Sequence, residues 1–256
     1  AIDEGKIKSV DQKVSEFLPE FSDGMKANIT IRHLLTMTAG FDWTESYASA
    51  WAPITKAYYG NDLRKMVEQL STKVKPGTLH EYQSINQVVL AMILEKATGK
   101  TLSRYTSEKL WKPLGATHDA LWSLDSKDGL EKAYCCFNSN ARDFSRIGSL
   151  YLHKGELNGK RIVSEEYVMN SVKPCMVPDE TGVSCEYYGY SWWLSAVDEH
   201  EFFYARGILG QYVIVVPDLN LVIVRLGRIR PDHGDTQAAD YIVSNIIKSL
   251  KTDEKN

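Results

Sequence analysis

The strongest constraint on the fold of this chain is a turn that leads directly into an apolar helix. A Pro-Gly pair at position 76 sets the turn, and residues 87–99 carry the apolar helical pattern. Between them, Tyr82, Ser84 and Asn86 stand at alternate positions. This arrangement can project a phenol and two small polar groups into one cleft, since the helix fixes their backbone. A tyrosine held in this way can act as a proton-transfer group in acyl chemistry.

The segment around Tyr82 resembles the Tyr-x-Asn region of the penicillin-recognising serine hydrolases, which comprise class C β-lactamases, DD-peptidases and related esterases and amidases. Two further segments, Ile29–Gly40 before Tyr82 and Thr101–Gly115 after it, resemble segments of this family. The three segments occur in the same order as in the family. The similarity extends from about Ala1 to Arg225. It implies an α+β fold with an antiparallel sheet flanked by helices and an all-helical lobe, and an active site between the lobes.

The nucleophile of that family is a serine in a Ser-x-x-Lys motif on a buried helix. No serine of this chain is followed by lysine three residues later. Thr72–Lys75 has the spacing with threonine, but its polar surroundings are more typical of a solvated linker. The opening, Ala1–Asp11, resembles the segment that follows the nucleophile helix in the family. We therefore expect a chain truncated after the motif, with the N-terminal strands and the nucleophile helix missing; a native start at Ala1 would refute this.

The resemblance assigns proton transfer between nucleophile and leaving group to Tyr82. The alternative is a buried tyrosine whose hydroxyl bonds to the backbone. Ser84 takes the place of the motif's asparagine and is predicted to contact substrate, but a hydroxyl cannot present the paired donor and acceptor of an amide. This departure argues against β-lactamase activity specifically. Asn86 is expected to make a structural cap or turn contact.

A second constellation lies where the family has Lys-Thr-Gly, at the end of a predicted strand. By position, Gly207 matches the motif's glycine and the backbone N–H of Ile208 matches an oxyanion-hole donor. Ala205 replaces the lysine, which removes the usual cationic partner of a substrate carboxylate. Arg206 could supply a cation, although strand alternation points it to the opposite face. The pattern up to Gln211 is closest to the aminohexanoate-dimer hydrolases and esterase-like members; a glycine-rich bulge is the structural alternative.

Two asparagines precede a predicted helix. In aminohexanoate-type relatives a residue of this loop reaches the substrate, so Asn138 is a candidate substrate contact, with helix capping as the alternative. Asn140 is the better candidate for the helix cap. The aromatic run Tyr187–Trp193 is predicted to be mainly a core strand. His33 and His118 belong to structural segments, and no Ser/His/Asp arrangement is apparent.

Composition limits the possible partners. The 256 residues have a formal net charge of −3, which gives no reason to expect nucleic acid or an anionic membrane surface as a partner. No apolar run is long enough for a transmembrane segment, and no cofactor is implied. The cysteines show no zinc-ligand spacing, so no metal site is predicted. Cys175 and Cys185 could form a disulfide or stay as thiols, whereas Cys135 and Cys136 are expected to pack as small apolar residues.

We predict one domain over residues 1–256, partial at its N-terminus, with a helical lobe at about 30–170 and a sheet region at about 185–250. Asn61 is the predicted cap of a helix from Leu63, and Gly99 the stop of the central helix. Four antiparallel strands are predicted at 188–194, 202–206, 211–216 and 221–226. A terminal helix should cover 235–250 with Ala238, Ile242, Ile246 and Leu250 on one face, followed by a disordered tail at 251–256.

The function that these observations favour is a serine hydrolase that acts on a small-molecule ester or amide through an acyl-enzyme, with this chain lacking the nucleophile. The alternative is a catalytically inactive binding or sensor domain, which the Ser84 and Ala205 replacements favour. The resemblance favours an extracytoplasmic, periplasmic or secreted, bacterial location. Substrate identity and oligomeric state stay open.

Overall fold

The computed structural model describes residues 1–230 and 235–253, and the side chains of 238–250 in the last helix. Three short 3₁₀ turns precede the first helix. The helices are α1 (Ile31–Leu35), α2 (Pro53–Tyr59), α3 (Leu63–Glu68), α4 (Ile85–Thr98), α5 (Leu102–Thr106), which continues into a π-helical turn at Ser107–Trp111, α6 (Ala141–Leu152), α7 (Glu165–Ser171) and α8 (Asp235–Asp253). The strands are β1 (Leu121–Trp122), β2 (Phe137–Asn138), β3 (Glu156–Leu157), β4 (Lys160–Arg161), β5 (Trp193–Val197), β6 (His200–Gly207), β7 (Gln211–Val216) and β8 (Leu221–Arg225).

The chain forms two compact units. The first comprises Ala1–Pro113, Asp119–Asn138 and Cys175–Glu186. Its core surrounds α4, which is apolar on most sides because it is buried against α1 and α3 rather than lying at the surface. As predicted, α4 ends at Gly99, whose φ of 68° gives the left-handed stop. The cap of α3 is Asp62, not the predicted Asn61, since its carboxylate accepts the Lys65 N–H at 3.0 Å.

The second unit comprises Leu114–His118, Ser139–Pro174 and Tyr187–Asn256. Strands β5 to β8 form an antiparallel meander in chain order, and their side chains alternate between two apolar faces. Phe202 and Tyr204 pack with residues of α8, whereas Phe203 packs with Tyr151 and Leu152 of α6. The predicted α+β class, with an antiparallel sheet flanked by helices, is therefore confirmed.

The first predicted strand begins later than expected. Residues 188–192 form a turn closed by the Gly189 N–H donating to the Trp192 carbonyl, and β5 starts at Trp193. Tyr188 is nonetheless 2% exposed, so the predicted core role of this aromatic run is correct even though its backbone is not extended throughout. Aromatic residues are typical of strands because they suit a half-buried surface, and a buried turn meets the same requirement.

Helix α8 presents a different stripe to the sheet from the one predicted. Its buried residues are Ala239, Val243 and Ile247, with Ala238 and Ile242 only partly buried at the border. Both stripes have helical spacing, and the packing against the sheet selects between them. The helix also continues to Asp253, so the disordered tail predicted from Lys251 is wrong for its first three residues; residues 254–256 lie outside the described part. Among the described residues, no helix combines the length and apolarity needed to cross a bilayer.

Candidate active site

The backbone on either side of Tyr82 is fixed by the first unit. The Glu81 N–H donates to the Met37 carbonyl at 3.0 Å, immediately before the tyrosine. Immediately after it, Gln83 is 1% exposed, and its side-chain amide donates to the carbonyls of Phe41 (3.0 Å) and Trp43 (3.2 Å). Tyr82 itself is partly exposed. A partly exposed phenol between two anchored residues has the placement that a proton-transfer group needs.

Ser84 lies at the start of α4 and bonds to a carboxylate that sequence reasoning missed. Glu45 accepts the Ser84 N–H at 3.0 Å and the Ser84 hydroxyl with its other oxygen. The same carboxylate accepts the Trp43 indole N–H at 2.8 Å and the Tyr47 hydroxyl. Burial and the hydrogen bond to Glu45 raise the pKa of Tyr47. Ser84 is 4% exposed, and its hydroxyl is hydrogen-bonded within this network. Its substrate-binding role remains a prediction.

The Glu45 network yields a test of local stability. Glu45→Gln should lower the free energy of unfolding by about 1.5–3 kcal/mol, since an amide nitrogen would face donors that now share a charged acceptor. Urea unfolding followed by circular dichroism measures the loss. Glu165→Gln is the control, because Glu165 pairs with Lys154 at the surface and the change should have little effect. Equal stability of the Glu45→Gln variant and the parent would show that the network contributes nothing.

The asparagines of the first unit differ in their roles. Asn86 is fully buried and donates to the Gln83 carbonyl at 2.8 Å, which confirms the predicted turn contact. Asn138 belongs to β2, is exposed, and donates to the Cys136 carbonyl at 2.9 Å, so it does not cap a helix. A substrate contact by Asn138 remains a prediction.

Asn140, in the second unit, caps α6 as predicted. Its side-chain oxygen accepts the Asp143 N–H at 2.9 Å, and its amide donates back to the Asp143 carboxylate at 2.6 Å. Asp143 is fully buried and also accepts the N–H groups of Thr117 (2.9 Å) and His118 (3.0 Å). The backbone hydrogen bond from Thr117, followed by those from Asn140 and His118, holds the pKa of Asp143 well below its ordinary value.

The lowered pKa of Asp143 sets a pH dependence of stability. A carboxyl group with a lower pKa in the folded state stabilises the fold above its unfolded pKa of about 3.9, and this contribution is lost as the pH falls from there towards the folded-state pKa. Asp143→Asn should therefore lower the thermal midpoint more at pH 7 than at pH 3. Thermal unfolding of both proteins across this range checks the expectation. A constant difference between the two curves would contradict it.

The predicted residues of the second constellation lie at the hairpin between β6 and β7 in the second unit. A β carbon on Gly207 would lie 2.3 Å from the Gln211 side-chain oxygen, which accepts the Leu209 N–H, while the Gln211 amide donates to the Gly227 carbonyl. A larger residue at position 207 would therefore displace the Gln211 side chain from these two hydrogen bonds. Ile208 follows Gly207 and is 36% exposed. The roles predicted for Gly207 and for the Ile208 N–H remain predictions.

Arg206 stacks on an aromatic ring. Its guanidinium carbon lies 4.0 Å from the centroid of the Trp193 ring, within the range of cation–π attraction. One face of the guanidinium is therefore covered by Trp193. A substrate contact by Arg206 remains a prediction.

The cysteines differ from the expectation. Cys135 and Cys136 are joined by a disulfide between adjacent residues, and the φ of Cys136 is 67°, so they do not pack as separate apolar side chains. Cys175 and Cys185 are thiols, and hydrogen bonds from Cys185 and His80 lower the pKa of the Cys175 thiol to about 5. Among the described residues, these two thiols and His80 form a group whose possible metal-ligand atoms lie within 4.8 Å of one another.

Comparison with known proteins places these features in a family. The sequence matches the family described as Beta-lactamase over residues 1–246. The chain belongs to the Beta-lactamase family. It is 29% identical over 241 residues to the 6-aminohexanoate-dimer hydrolase of Paenarthrobacter ureafaciens, covering 88% of this chain and 61% of that protein. The chain thus spans less than two thirds of this curated relative.

Solved structures agree with this Beta-lactamase fold. A Bacillus anthracis protein provisionally named a 6-aminohexanoate-dimer hydrolase superposes with a TM-score of 0.80 at 21% identity, over 97% of this chain and 67% of that one. A family VIII carboxylesterase superposes with a TM-score of 0.70 at 19% identity, over 90% of this chain and 73% of that one. At these identities the similarity shows the fold.

Proposed function

We propose that this chain belongs to a serine acyl-hydrolase and supplies its proton-transfer tyrosine and an oxyanion donor. The observation that carries the proposal is the anchoring of Tyr82, in a Beta-lactamase-family chain, between the backbone bond of Glu81 and the buried amide of Gln83. Family membership supplies the reaction class, and the geometry supplies a phenol whose backbone is held on both sides.

In the proposed reaction, a serine oxygen attacks the carbonyl carbon of an ester or amide. The carbon–oxygen bond to serine forms, and the alcohol or amine leaves with a proton delivered through Tyr82 and the motif lysine. Water then attacks the acyl-serine, releases the acid and restores the hydroxyl. The Ile208 N–H, with that of the nucleophile, stabilises the developing oxyanion. Both steps require the Ser-x-x-Lys motif, which this sequence does not contain.

Two replacements narrow the proposed substrate. Ala205 stands where the family has lysine, and it packs against the apolar cluster of Trp192, Phe203 and Val215. Ser84 cannot present the paired donor and acceptor of the motif's asparagine. Both replacements favour an ester or simple amide over a β-lactam as the substrate, and one structural relative is named a carboxylesterase.

The same replacements keep a binding or sensor domain as a second candidate. Labelling by a fluorophosphonate probe separates the two. We expect the native protein to be labelled at a serine of a Ser-x-x-Lys motif, and the 256-residue chain alone to stay unlabelled. A native protein without the motif and without labelling would favour the binding domain. Labelling of the 256-residue chain would overturn our assignment of the nucleophile.

A further inference from the structure

Three side chains of types that can bind metal ions lie close together within the first unit. None of them is a predicted active-site residue. One ligand atom from each of His80, Cys175 and Cys185 lies within 4.8 Å of the others. Cys185 is fully buried and His80 is 3% exposed, whereas Cys175 is partly exposed. The histidine and Cys175 are 95 residues apart in sequence, so the cluster is a product of the fold.

Backbone hydrogen bonds hold the three residues in place. The Met176 N–H donates to the Cys185 carbonyl at 3.0 Å, which fixes the two cysteine segments against each other. The His80 N–H donates to the Pro178 carbonyl at 2.8 Å and fixes this hairpin to the histidine segment. The Cys175 sulfur then lies 3.9 Å from His80 Nδ1. The donors are therefore positioned before any ligand binds.

We propose that His80, Cys175 and Cys185 bind a single thiophilic d¹⁰ cation, Zn²⁺ or Cu⁺. Two sulfurs and an imidazole form a soft donor set, which these ions prefer over oxygen-seeking cations such as Mg²⁺ and Ca²⁺. The cysteines bind as thiolates, so each thiol that is protonated releases its proton to solvent on binding, and no electron is transferred. Three protein ligands complete a trigonal Cu⁺ site, or leave one position of a tetrahedral Zn²⁺ site to an exogenous ligand.

The surroundings of His80 suit a metal ligand. His80 Nδ1 lies 3.0 Å from the Thr36 carbonyl oxygen. This contact with the Thr36 carbonyl fixes the orientation of the ring beside the two thiols. Because His80 precedes Tyr82 by two residues, a bound ion would link the 175–185 hairpin to the segment that carries the tyrosine. Metal binding by these three residues does not depend on whether the protein is an acyl-hydrolase.

The test is a metal titration of the reduced, metal-free 256-residue protein under anaerobic conditions. The parent for all variants carries Cys135→Ser and Cys136→Ser, so that the adjacent cysteines cannot contribute. We expect one equivalent of Zn²⁺ to bind in competition with a chromophoric chelator. X-ray absorption should show sulfur at about 2.3 Å and nitrogen at about 2.0 Å from the zinc. Cu⁺ is titrated in parallel against a Cu⁺-specific chelator.

Cys175→Ser is the deciding variant, because it is nearly isosteric and its site is partly exposed. It should lower the affinity for the bound ion about a hundredfold or more, since loss of an outer-shell partner alone costs about 10–100-fold. His153→Gln, at an exposed histidine, should leave the affinity unchanged. Circular dichroism of the metal-free variants verifies that both are folded.

Three results would overturn the proposal. The first is failure of the reduced parent to take up either ion. The second is equal affinity of the parent and Cys175→Ser for the ion. The third is a zinc site without sulfur ligands in the absorption spectrum. A Cys175–Cys185 disulfide in the oxidised protein, together with absence of uptake after reduction, would instead identify these residues as a disulfide pair.

Discussion

Replacing Tyr82 by phenylalanine in the native protein should abolish turnover of a p-nitrophenyl ester while leaving the fold intact. The substitution removes only the hydroxyl, and the flanking anchors at Glu81 and Gln83 do not involve it. Loss of a positioned proton-transfer group typically lowers the rate by roughly 10²–10⁴-fold. The ratio of kcat/KM for the two proteins measures the effect, and the circular dichroism spectrum should be unchanged.

Tyr105→Phe is the matched control for this experiment. It removes a phenol that donates to Glu4 at 2.6 Å at an exposed site in the same unit. We expect its hydrolysis rate to equal that of the parent. If Tyr82→Phe also hydrolysed the ester at a near-normal rate, the role proposed for Tyr82 would be wrong. A native protein that is inactive before any substitution would favour the binding-domain alternative.

Replacing Gly40 by alanine should cause a large loss of stability for the addition of a single methyl group. Gly40 has a φ of 74°, and a β carbon there would lie 2.5 Å from the Val74 backbone oxygen. The left-handed conformation costs about 1–2 kcal/mol for an L-residue, and forcing the Val74 backbone away adds about 1–3 kcal/mol. The loss should therefore be about 3 kcal/mol, measured by urea unfolding.

Gly99→Ala separates the two contributions to this loss. Gly99 has a similar φ of 68°, but a β carbon there would meet no heavy atom within 4 Å. Only the conformational cost of about 1–2 kcal/mol should remain. Equal losses for the two variants would show that the contact between Gly40 and Val74 is not constraining. The Gly40 carbonyl also accepts the Lys73 N–H at 2.9 Å, and this hydrogen bond fixes the loop that leads towards Tyr82.

Local signals predicted the fold where the deciding interactions are local. The stop of α4 at Gly99 and the cap of α6 at Asn140 depend on the residue itself and its next turn, and both predictions are confirmed. Where two neighbouring choices satisfy the same local rule, packing decides. Asp62 rather than Asn61 caps α3, and Ala239 rather than Ala238 lies in the core under α8.

The candidate site was predicted only in part, because some of its contacts join distant segments. Tyr82 and Ser84 stand beside a recognisable turn and helix, whereas Glu45 is 39 residues from Ser84 and follows no spacing rule. The cluster of His80 with Cys175 and Cys185 was missed for the same reason, since neither cysteine has a ligand-like spacing in sequence. A carboxylate or thiol that becomes a partner only through tertiary packing leaves no periodic pattern.

The proposed acyl-hydrolase function requires that the phenol of Tyr82 and the N–H of Ile208 act on one reacting group. A crystal structure of the native protein carrying a phosphonate adduct on its nucleophile tests this requirement directly. We expect a phosphonyl oxygen within about 3 Å of the Ile208 nitrogen, with the Tyr82 hydroxyl at hydrogen-bonding distance from the adduct. An adduct oxygen held by other donors, with the Tyr82 side chain directed into bulk solvent, would contradict the proposed function.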